Sequence, residues 1–497
     1  MIEARTIAAM LAPFFNPGCG YSPHHMNFAS TLVRLRRRQA ALFLTLLAAA
    51  AARTAAQGAS PAPRLADHVI LISIDGFRPA VYLDPEREGV KIPNLLALKE
   101  SGSAAEGVVV TYPSMTYPSH TAIVTAVSPA KHGIVTNTIL DPLNGSRLWF
   151  YENSAMKAPA VWEAARKNGL KTAGVSWPVS VGAQMDVIYP ESNQAPSDMT
   201  WLARARRDST PGLVDAVVSD LGGFGERDNL DPVKRDRFAA ATAVRIVRTE
   251  KPNLMVVHLM ETDSAQHASG PGSPEARAAY ERVDAHVGEI IKAVDEAGLR
   301  SRTAFVITGD HGFSRVHALF QPNVVLRDAG LLKTDDKGRI TEWSAVLHGM
   351  AVVMKEPGSK ALASRVEALF DDLARTKYKG LFRVVGRGEL NERGAYPGAL
   401  FFIEPAEGYY LSDGFEQNEF LVGTTRRGAH GFIPAEPRMF TGLIAAGAGI
   451  KAKVPLPSVR QIDIAPTVAR LLGFTMPGVD GVPLFGVVDA PRPPRVN

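Results

Sequence analysis

The sequence predicts an α/β fold in which a mostly parallel central sheet is covered by helices on both faces. Apolar runs of strand length, rich in β-branched residues, recur along the chain and are typical of parallel strands buried on both faces. Helix-like segments separate these runs, as expected when helical crossovers join parallel strands. With 497 residues, of which 46% are hydrophobic and 21% charged, the chain is long enough for a large globular domain of this class.

The predicted elements follow one another in a regular order. The first strand is expected at 68–74, and further strands are expected at 172–176, 254–259, 303–308 and 441–445. Between these strands, helices are expected at 93–101, 159–168 and 275–297. The last helix has apolar residues at three-to-four spacing, and Gly298 follows it as a predicted C-cap.

A different pattern lies between residues 315 and 425, where short alternating strands are accompanied by many glycines, as at 398–404 and 408–412. We interpret this segment as an inserted cap subdomain outside the main sheet. The predicted organisation is a leader with a signal peptide at 1–56, a linker at 57–66, an α/β core at 67–314 and 426–497, and the cap at 315–425.

The leader resembles an export signal. A basic cluster at 34–38 precedes an apolar run at 40–52 and small residues at 54–56, and Met26 is the better start of this signal. The apolar run is shorter than the roughly 20 residues that span a bilayer as a helix. We therefore expect a periplasmic or secreted protein without a stable membrane span, and a retained anchor is the alternative. The only cysteine, Cys19, lies in this leader, so no disulfide is expected in the mature chain.

The net charge of +5 also comes from the front of the chain. Residues 1–56 carry six basic residues and one acidic residue, so the remaining chain is balanced, with 49 of each sign. A balanced surface disfavours a protein that tracks a polyanion, and no nucleic acid polymer is expected as a partner. The sequence does not define an oligomeric state.

Acidic residues and histidines follow the predicted strands, where open parallel sheets place their functional sites. The set consists of Asp75, Asp263, His267, Asp310, His311 and His430. Three carboxylates at one sheet edge would repel one another without a compensating cation. Carboxylates and imidazoles together suit zinc or a similar ion, and six ligands suffice for two ions. By contrast, we interpret His258 as a core residue and assign no ligand role to His120, His132 or His348.

A threonine is predicted at the start of a helix in the segment 111–120, which follows a short apolar strand. Thr116 would present its hydroxyl there, at a position that favours an anionic substrate. A threonine hydroxyl needs a base or a metal to remove its proton, and no G-x-S-x-G elbow is found in the mature chain. Metal activation is the available route. The alternative is that Thr116 only caps the helix.

Several ordered motifs between residues 68 and 484 make the chain resemble the nucleotide pyrophosphatase/phosphodiesterase family of the alkaline phosphatase superfamily. They include I-D-G-F-R at 74–78, T-Y-P-S-H-T at 116–121, S-P-A-K-H-G-I-V-T-N at 128–137, E-T-D-S-A-Q-H at 261–267, T-G-D-H-G-F at 308–313 and G-A-H-G-F-I-P at 428–434. The resemblance implies an alkaline-phosphatase-like three-layer sandwich. It also implies a hydrolase that cleaves phosphodiester or pyrophosphate bonds, with small nucleotide-type substrates favoured.

The resemblance further implies a role for each matched residue. One zinc ion would be held by Asp263, His267 and His430. A second zinc ion would be held by Asp75, Asp310 and His311 and would also bind the Thr116 oxygen, although other divalent ions remain open.

In the same family, the matched threonine attacks phosphorus. Thr116 would therefore form a phospho-threonine intermediate that water hydrolyses in a second step, and Asn137 would hold a phosphoryl oxygen. Tyr117, directly after the nucleophile, would stack on a nucleotide base, and we expect Trp201 to supply a second aromatic wall.

The residues of this chain favour some reactions of the superfamily over others. A sulfatase is disfavoured because Thr116 stands where a C/S-x-P-x-R string would be needed. A phosphomonoesterase is disfavoured because the K-x-R string is missing after Trp177. Phosphonoacetate-hydrolase-like cleavage and lipid or choline phosphodiesters remain alternatives. A non-catalytic binding protein is disfavoured because the ligand set is complete.

Overall fold

The computed structural model describes residues 63–144, 148–192, 199–435 and 437–488. The predicted signal peptide and most of the predicted linker therefore lie outside the described residues. Within the described part of the chain, no helix combines the length and hydropathy needed to cross a bilayer.

The strands of the described residues are β1 (His68–Ile74), β2 (Ser103–Ala104), β3 (Val108–Val109), β4 (Thr172–Val175), β5 (Val187–Tyr189), β6 (Leu254–Leu259), β7 (Thr303–Thr308), β8 (Ser314–Phe320), β9 (Leu332–Thr334), β10 (Ile340–Trp343), β11 (Ala345–His348), β12 (Ala351–Met354), β13 (Phe382–Val385), β14 (Ala399–Pro405), β15 (Gly408–Leu411), β16 (Leu421–Gly423), β17 (Gly428–Ala429), β18 (Leu443–Gly447) and β19 (Val459–Arg460).

The α-helices are α1 (Ala80–Leu83), α2 (Pro85–Glu88), α3 (Pro93–Ser101), α4 (Thr116–Thr125), α5 (Pro129–His132), α6 (Val161–Lys167), α7 (Trp201–Asp208), α8 (Leu213–Asp220), α9 (Pro232–Thr249), α10 (Glu261–Ser269), α11 (Pro274–Glu296), α12 (Pro322–Asp328), α13 (Lys360–Arg375), α14 (Arg387–Glu392) and α15 (Ile464–Leu471).

The central sheet has seven strands among the described residues, in the order β2-β18-β7-β1-β6-β4-β5. Strand β1 lies parallel to both β6 and β7, whereas β18 pairs antiparallel with β7. The predicted α/β fold with a mostly parallel sheet is confirmed. The strand predicted at 441–445 is observed two residues later, because Thr441 forms only an isolated bridge with Val108 of β3 and the Gly442 N–H donates to the Phe77 carbonyl oxygen.

Helices cover both faces of this sheet. Because side chains alternate along a strand, Ile70 and Ile72 of β1 pack into one hydrophobic cluster with α3, α9 and α11, while Leu71 packs into another with α4, α6 and α15. The long helix predicted at 275–297 is α11. It begins after Ser273, whose hydroxyl accepts a hydrogen bond from the Ala276 N–H at 3.1 Å.

The segment predicted as a cap carries sheets of its own. One has the order β11-β12-β14-β13 and packs against α13 through a cluster that includes Phe370 and Phe401. In another, β8 pairs with β15, β16 and β17. The chain passes into this segment along β8 and leaves it along β17. These two strands are antiparallel neighbours, with Ser314 opposite Ala429 and Arg315 opposite Gly428.

Candidate active site

Three neighbouring strands bring the predicted ligands to one edge of the sheet. Asp75 follows β1, Asp310 and His311 follow β7, and Asp263 lies in α10 just beyond β6. Since β6, β1 and β7 are adjacent and parallel, their carboxyl ends meet at the same edge. Gly76 makes the turn after β1 with a φ of 69°, which favours glycine, and its N–H donates to Asp310 Oδ1 at 2.9 Å.

Asp75, Asp310 and His311 form what we call the inner set. All three are buried, at 3%, 0% and 0% exposure. The Nε2 atom of His311 lies 3.3 Å from Asp75 Oδ1 and 3.1 Å from Asp310 Oδ2. Thr116 is the first residue of α4, and its Oγ1 lies 3.4 Å from the same Nε2. Met115 occupies the N-cap position before it, so the structure does not support the alternative in which Thr116 only caps the helix.

Asp263, His267 and His430 form the outer set. Asp263 Oδ1 lies 3.1 Å from His267 Nε2 and 3.6 Å from His430 Nε2. Asp263 and His267 are four residues apart on α10 and therefore share one face of that helix. The rings of His430 and His311 stack with their centroids 3.5 Å apart, so the two sets are adjacent.

The histidines present their Nε2 atoms to the carboxylates because Nδ1 is engaged elsewhere. Nδ1 of His311 lies 3.1 Å from the Gly312 carbonyl oxygen, and Nδ1 of His430 lies 3.0 Å from that of Ser114. A carbonyl oxygen only accepts hydrogen bonds, so each Nδ1 carries the proton and each Nε2 keeps a lone pair. This orientation is the one that metal-ligating histidines adopt.

Three carboxylate oxygens of the site fit a bound cation. Asp75 Oδ1, Asp263 Oδ1 and Asp310 Oδ2 are buried and have no hydrogen-bond partner among the described residues. These are the same oxygens that face the imidazole Nε2 atoms. Ligand atoms of Asp75, Asp310 and His311 lie within 4.8 Å of one another, as do those of Asp263, His311 and His430. Buried acceptors of this kind need a partner, and the nitrogen and oxygen donors present suit a divalent ion.

The pKa shifts of the three aspartates also favour a bound cation. Burial, followed by the charge of Asp263, raises the pKa of Asp75 well above its ordinary value. Burial, followed by the charge of Asp75, does the same to the pKa of Asp310. Burial would also raise the pKa of Asp263, but His267 and His430 bring it below its ordinary value. The inner set is therefore strained by its own charge unless a cation is bound.

A layer of buried histidines supports the inner set from behind. Nε2 of His258 lies 3.1 Å from Asp75 Oδ2, and its Nδ1 lies 3.2 Å from the Ser176 carbonyl oxygen. His120 packs on His258 at 4.3 Å between centroids, and its Nδ1 lies 2.8 Å from the Thr116 carbonyl oxygen. His258 is a core residue, as predicted, but sequence reasoning missed its contact with Asp75. The available signal was a lone polar residue in an otherwise apolar strand adjacent to β1.

The predicted substrate-binding aromatics lie in hydrophobic clusters. Tyr117 is fully buried and packs against Trp149 at 5.1 Å between centroids. Trp201 packs against Phe224 and Phe238 at 5.3 and 5.7 Å. Neither ring offers a free face for a substrate, and this corrects the predicted stacking role of both residues. The physical reason is that the apolar area of each ring is used to build the core.

Asn137 lies beside the start of α4. Its Oδ1 accepts a hydrogen bond from the Tyr117 N–H at 2.9 Å. The side chain is half-buried, and the fixed Oδ1 sets the direction of the whole amide group.

A family model described as type I phosphodiesterase / nucleotide pyrophosphatase matches residues 69–432. Human ectonucleotide pyrophosphatase/phosphodiesterase family member 1 is 27% identical over 251 residues, which cover 50% of this chain and 23% of that protein. An uncharacterized pyrophosphatase/phosphodiesterase of Schizosaccharomyces pombe is 28% identical over 247 residues, covering 50% of this chain and 44% of that protein. The chain thus matches less than half the length of these curated relatives.

Solved structures resemble the fold over most of the chain. Murine ectonucleotide pyrophosphatase / phosphodiesterase 5 superposes with a TM-score of 0.59 and 20% identity, covering 83% of this chain and 97% of that chain. An inactive variant of the same murine protein, in complex with AMP, superposes with a TM-score of 0.59 and 20% identity over 84% of this chain and 97% of that chain.

Proposed function

The chain belongs to the type I phosphodiesterase / nucleotide pyrophosphatase family, and from this premise we propose that it hydrolyses phosphodiester or pyrophosphate bonds, with nucleotide-type substrates favoured. The observation that carries the proposal is the position of the Thr116 hydroxyl, 3.4 Å from His311 Nε2 at the edge of a carboxylate and imidazole set. Thr116 also starts a ten-residue helix. The positive end of a helix favours the negative charge of a phosphoryl group.

We propose two zinc ions as the cofactor, with other divalent ions as the alternative. The outer set would hold one ion, and the inner set together with Thr116 would hold the other. When bound, such ions supply positive charge that lowers the pKa of a coordinated hydroxyl and stabilises the oxygens around phosphorus. The orphaned oxygens of Asp75, Asp263 and Asp310 support this assignment.

Within this proposal, Thr116 is the nucleophile. Its Oγ1 forms a bond to phosphorus while the bond from phosphorus to the leaving oxygen breaks, and the electron pair of that bond stays with the leaving group. The product is a phospho-threonine, which water hydrolyses to restore the hydroxyl. Because Asn137 Oδ1 is held by the Tyr117 N–H, its amide nitrogen is the group available to donate to a phosphoryl oxygen.

We further propose that the protein acts outside the cytoplasm, in the periplasm or the medium. This rests on the basic cluster at 34–38 and the apolar run at 40–52. N-terminal sequencing of the protein recovered after expression in a bacterial host would test it, and an intact Met26 together with an intact 40–52 segment would contradict cleavage.

A matched pair of chromogenic substrates tests the reaction. We expect the zinc-loaded protein to prefer the p-nitrophenyl ester of thymidine monophosphate, a diester, over p-nitrophenyl phosphate, a monoester. Thr116→Ala should lower kcat by at least about 10³-fold with nearly unchanged metal content, since the six other ligands remain. Thr116→Ser keeps a hydroxyl and should retain measurable turnover. A faster monoester rate, or an active Thr116→Ala protein, would overturn the proposal.

A further inference from the structure

An open cleft adjoins the outer set. Its volume is about 890 Å³, and its lining includes Asp263, His267, Tyr410, Thr424, Thr425 and Arg426. Helix α10 forms one wall, and strands β15 and β16 of the inserted segment contribute to the other. Neither Thr116 nor any residue of the inner set lines it. The cleft therefore adjoins the site at the outer set.

Arg426 is the basic residue of this cleft. Its Nε donates to the Gly428 carbonyl oxygen at 3.0 Å, and its guanidinium also contacts Nδ1 of His267. The same carbonyl lies 2.8 Å from His267 Nδ1. Arg426 thus contacts both the His267 ring and the carbonyl oxygen beside it. The guanidinium also lies 5.5 Å from the centre of the Tyr410 ring.

This guanidinium lacks a carboxylate partner. Within the described ranges, no Asp or Glu forms a salt bridge with Arg426, and Asp263 already faces His267 and His430. A half-buried guanidinium that forms no direct ion pair matches the geometry and charge of a phosphate.

The geometry of an in-line displacement indicates which part of the substrate would occupy this cleft. In an in-line displacement at phosphorus, the leaving oxygen lies opposite the attacking oxygen. Thr116 contacts His311 of the inner set, whereas Arg426 contacts His267 of the outer set. A leaving group that departs from Thr116 therefore moves towards the outer set, where the cleft opens.

We infer that Arg426 and the hydroxyls around it form a leaving-group subsite for an anionic group, namely the second phosphate of a phosphoanhydride. This inference rests on the proposed function and deepens it. The bond from Thr116 Oγ1 to phosphorus forms, the bridging oxygen leaves with the electron pair of the broken bond, and the hydroxyl proton is released to solvent. Arg426 neutralises the charge that develops on the departing phosphate. A neutral alcohol gains nothing from it, and cationic choline would be repelled.

Two substrates that share a nucleotidyl group but differ in their leaving group test this subsite separately from the rest of the site. The p-nitrophenyl ester of thymidine monophosphate and thymidine triphosphate leave the same group on Thr116 but release p-nitrophenol and pyrophosphate. We expect Arg426→Gln to lower kcat/KM for the triphosphate at least about tenfold, as for the loss of charge-assisted hydrogen bonds, and for the p-nitrophenyl ester less than about threefold. Arg427→Gln, at the exposed neighbouring position, should change neither value.

Equal losses on both substrates would show that Arg426 only positions His267, and no loss on either would also overturn the inference. Binding of inorganic pyrophosphate to the zinc-loaded protein, measured by calorimetry, separates the two proposals. If the protein hydrolyses neither substrate yet Arg426→Gln weakens pyrophosphate binding at least about tenfold, the proposed function fails and the subsite stands. If both proteins bind pyrophosphate equally, the subsite fails.

Discussion

The inner and outer sets differ in what holds them. The central sheet fixes the inner set directly after β1 and β7, and His258 supports it from behind. A helix and the loop that leaves the inserted segment hold the outer set, and its Asp263 and His267 side chains are each 19% exposed. The inner set, next to the proposed nucleophile Thr116, is thus determined by the core of the fold. The outer set, which we propose faces the leaving group, is open to change, because loops vary more easily than buried strands.

The largest contrast between the two sets should appear when one carboxylate is neutralised in each. Asp310→Asn keeps an amide oxygen for the N–H groups of Gly76 and His311, which donate to Oδ1 at 2.9 and 3.0 Å. It removes a charge that burial and Asp75 disfavour. We expect the metal-free protein to become more stable by about 1–3 kcal/mol, and activity to fall by at least about 10³-fold because a metal ligand is lost.

Asp263→Asn should act with the opposite sign on stability. The imidazoles of His267 and His430 lower the pKa of Asp263, so its charge stabilises the folded state and its removal should destabilise the metal-free protein. Urea unfolding of both variants in the presence of a chelator measures the two signs. If both substitutions shift the free energy of unfolding in the same direction, the predicted electrostatic difference between the two sets is wrong.

A smaller effect is expected from a substitution in the layer of buried histidines behind the inner set. His258→Leu removes the imidazole that lies 3.1 Å from Asp75 Oδ2 and should weaken binding of one zinc ion by about 10–100-fold, as is typical when a residue that orients a ligand is lost. Chelator competition should show that the second binding event is unchanged. His317→Leu, an exposed histidine of β8, is the control. Equal weakening of both events would show that the two sets are not independent.

The smallest effect concerns a residue that links both ends of the site. Glu404 of β14 accepts hydrogen bonds from the Tyr112 hydroxyl at 2.8 Å and from the Ile433 N–H at 2.9 Å. These partners lie on the segments that lead to Thr116 and away from His430. Burial raises the pKa of Glu404 from 4.5 to about 7. The folded state therefore binds this proton more tightly than the unfolded state, and the resulting stability is complete below pH 4.5 and lost as the pH rises through about 7.

Glu404→Gln cannot lose a proton, so its free energy of unfolding should fall less between about pH 5 and pH 8 than that of the unmodified protein, by an amount on the order of 1–3 kcal/mol. Urea denaturation across this range in the presence of a chelator measures it. Glu407→Gln, at an exposed side chain of the same segment, is the control. Parallel pH profiles for Glu404→Gln and the unmodified protein would contradict the assignment.

Much of the core could be predicted because its signals are local. Strands β1, β6 and β7 have the predicted bounds, since each is a continuous apolar run of the right length. A parallel arrangement then places the residues that follow these strands at one edge, which is why Asp75, Asp310 and His311 are found together. The family model independently matches the same part of the chain.

The rest depends on distant contacts that leave little trace in the sequence. Arg426 precedes a glycine-rich motif like any loop arginine, and its contacts with Tyr410 of β15 and His267 of α10 are not visible in the sequence. Tyr117 lies next to Thr116 in sequence, but its ring is fully buried and packs against Trp149. Such orientations are set by tertiary packing, which periodicity does not report.

The pairing of β8 with β17 has an evolutionary consequence. The residues that lead into and out of the segment predicted to be an insertion are paired neighbours, so the ends of that segment stay together whatever its length. Closing a longer loop between fixed ends costs little extra entropy. A lineage could therefore lengthen, shorten or exchange this segment as a module while the sheet, the nucleophile and the inner set remain unchanged. New leaving-group preferences could then arise without rebuilding the reaction itself.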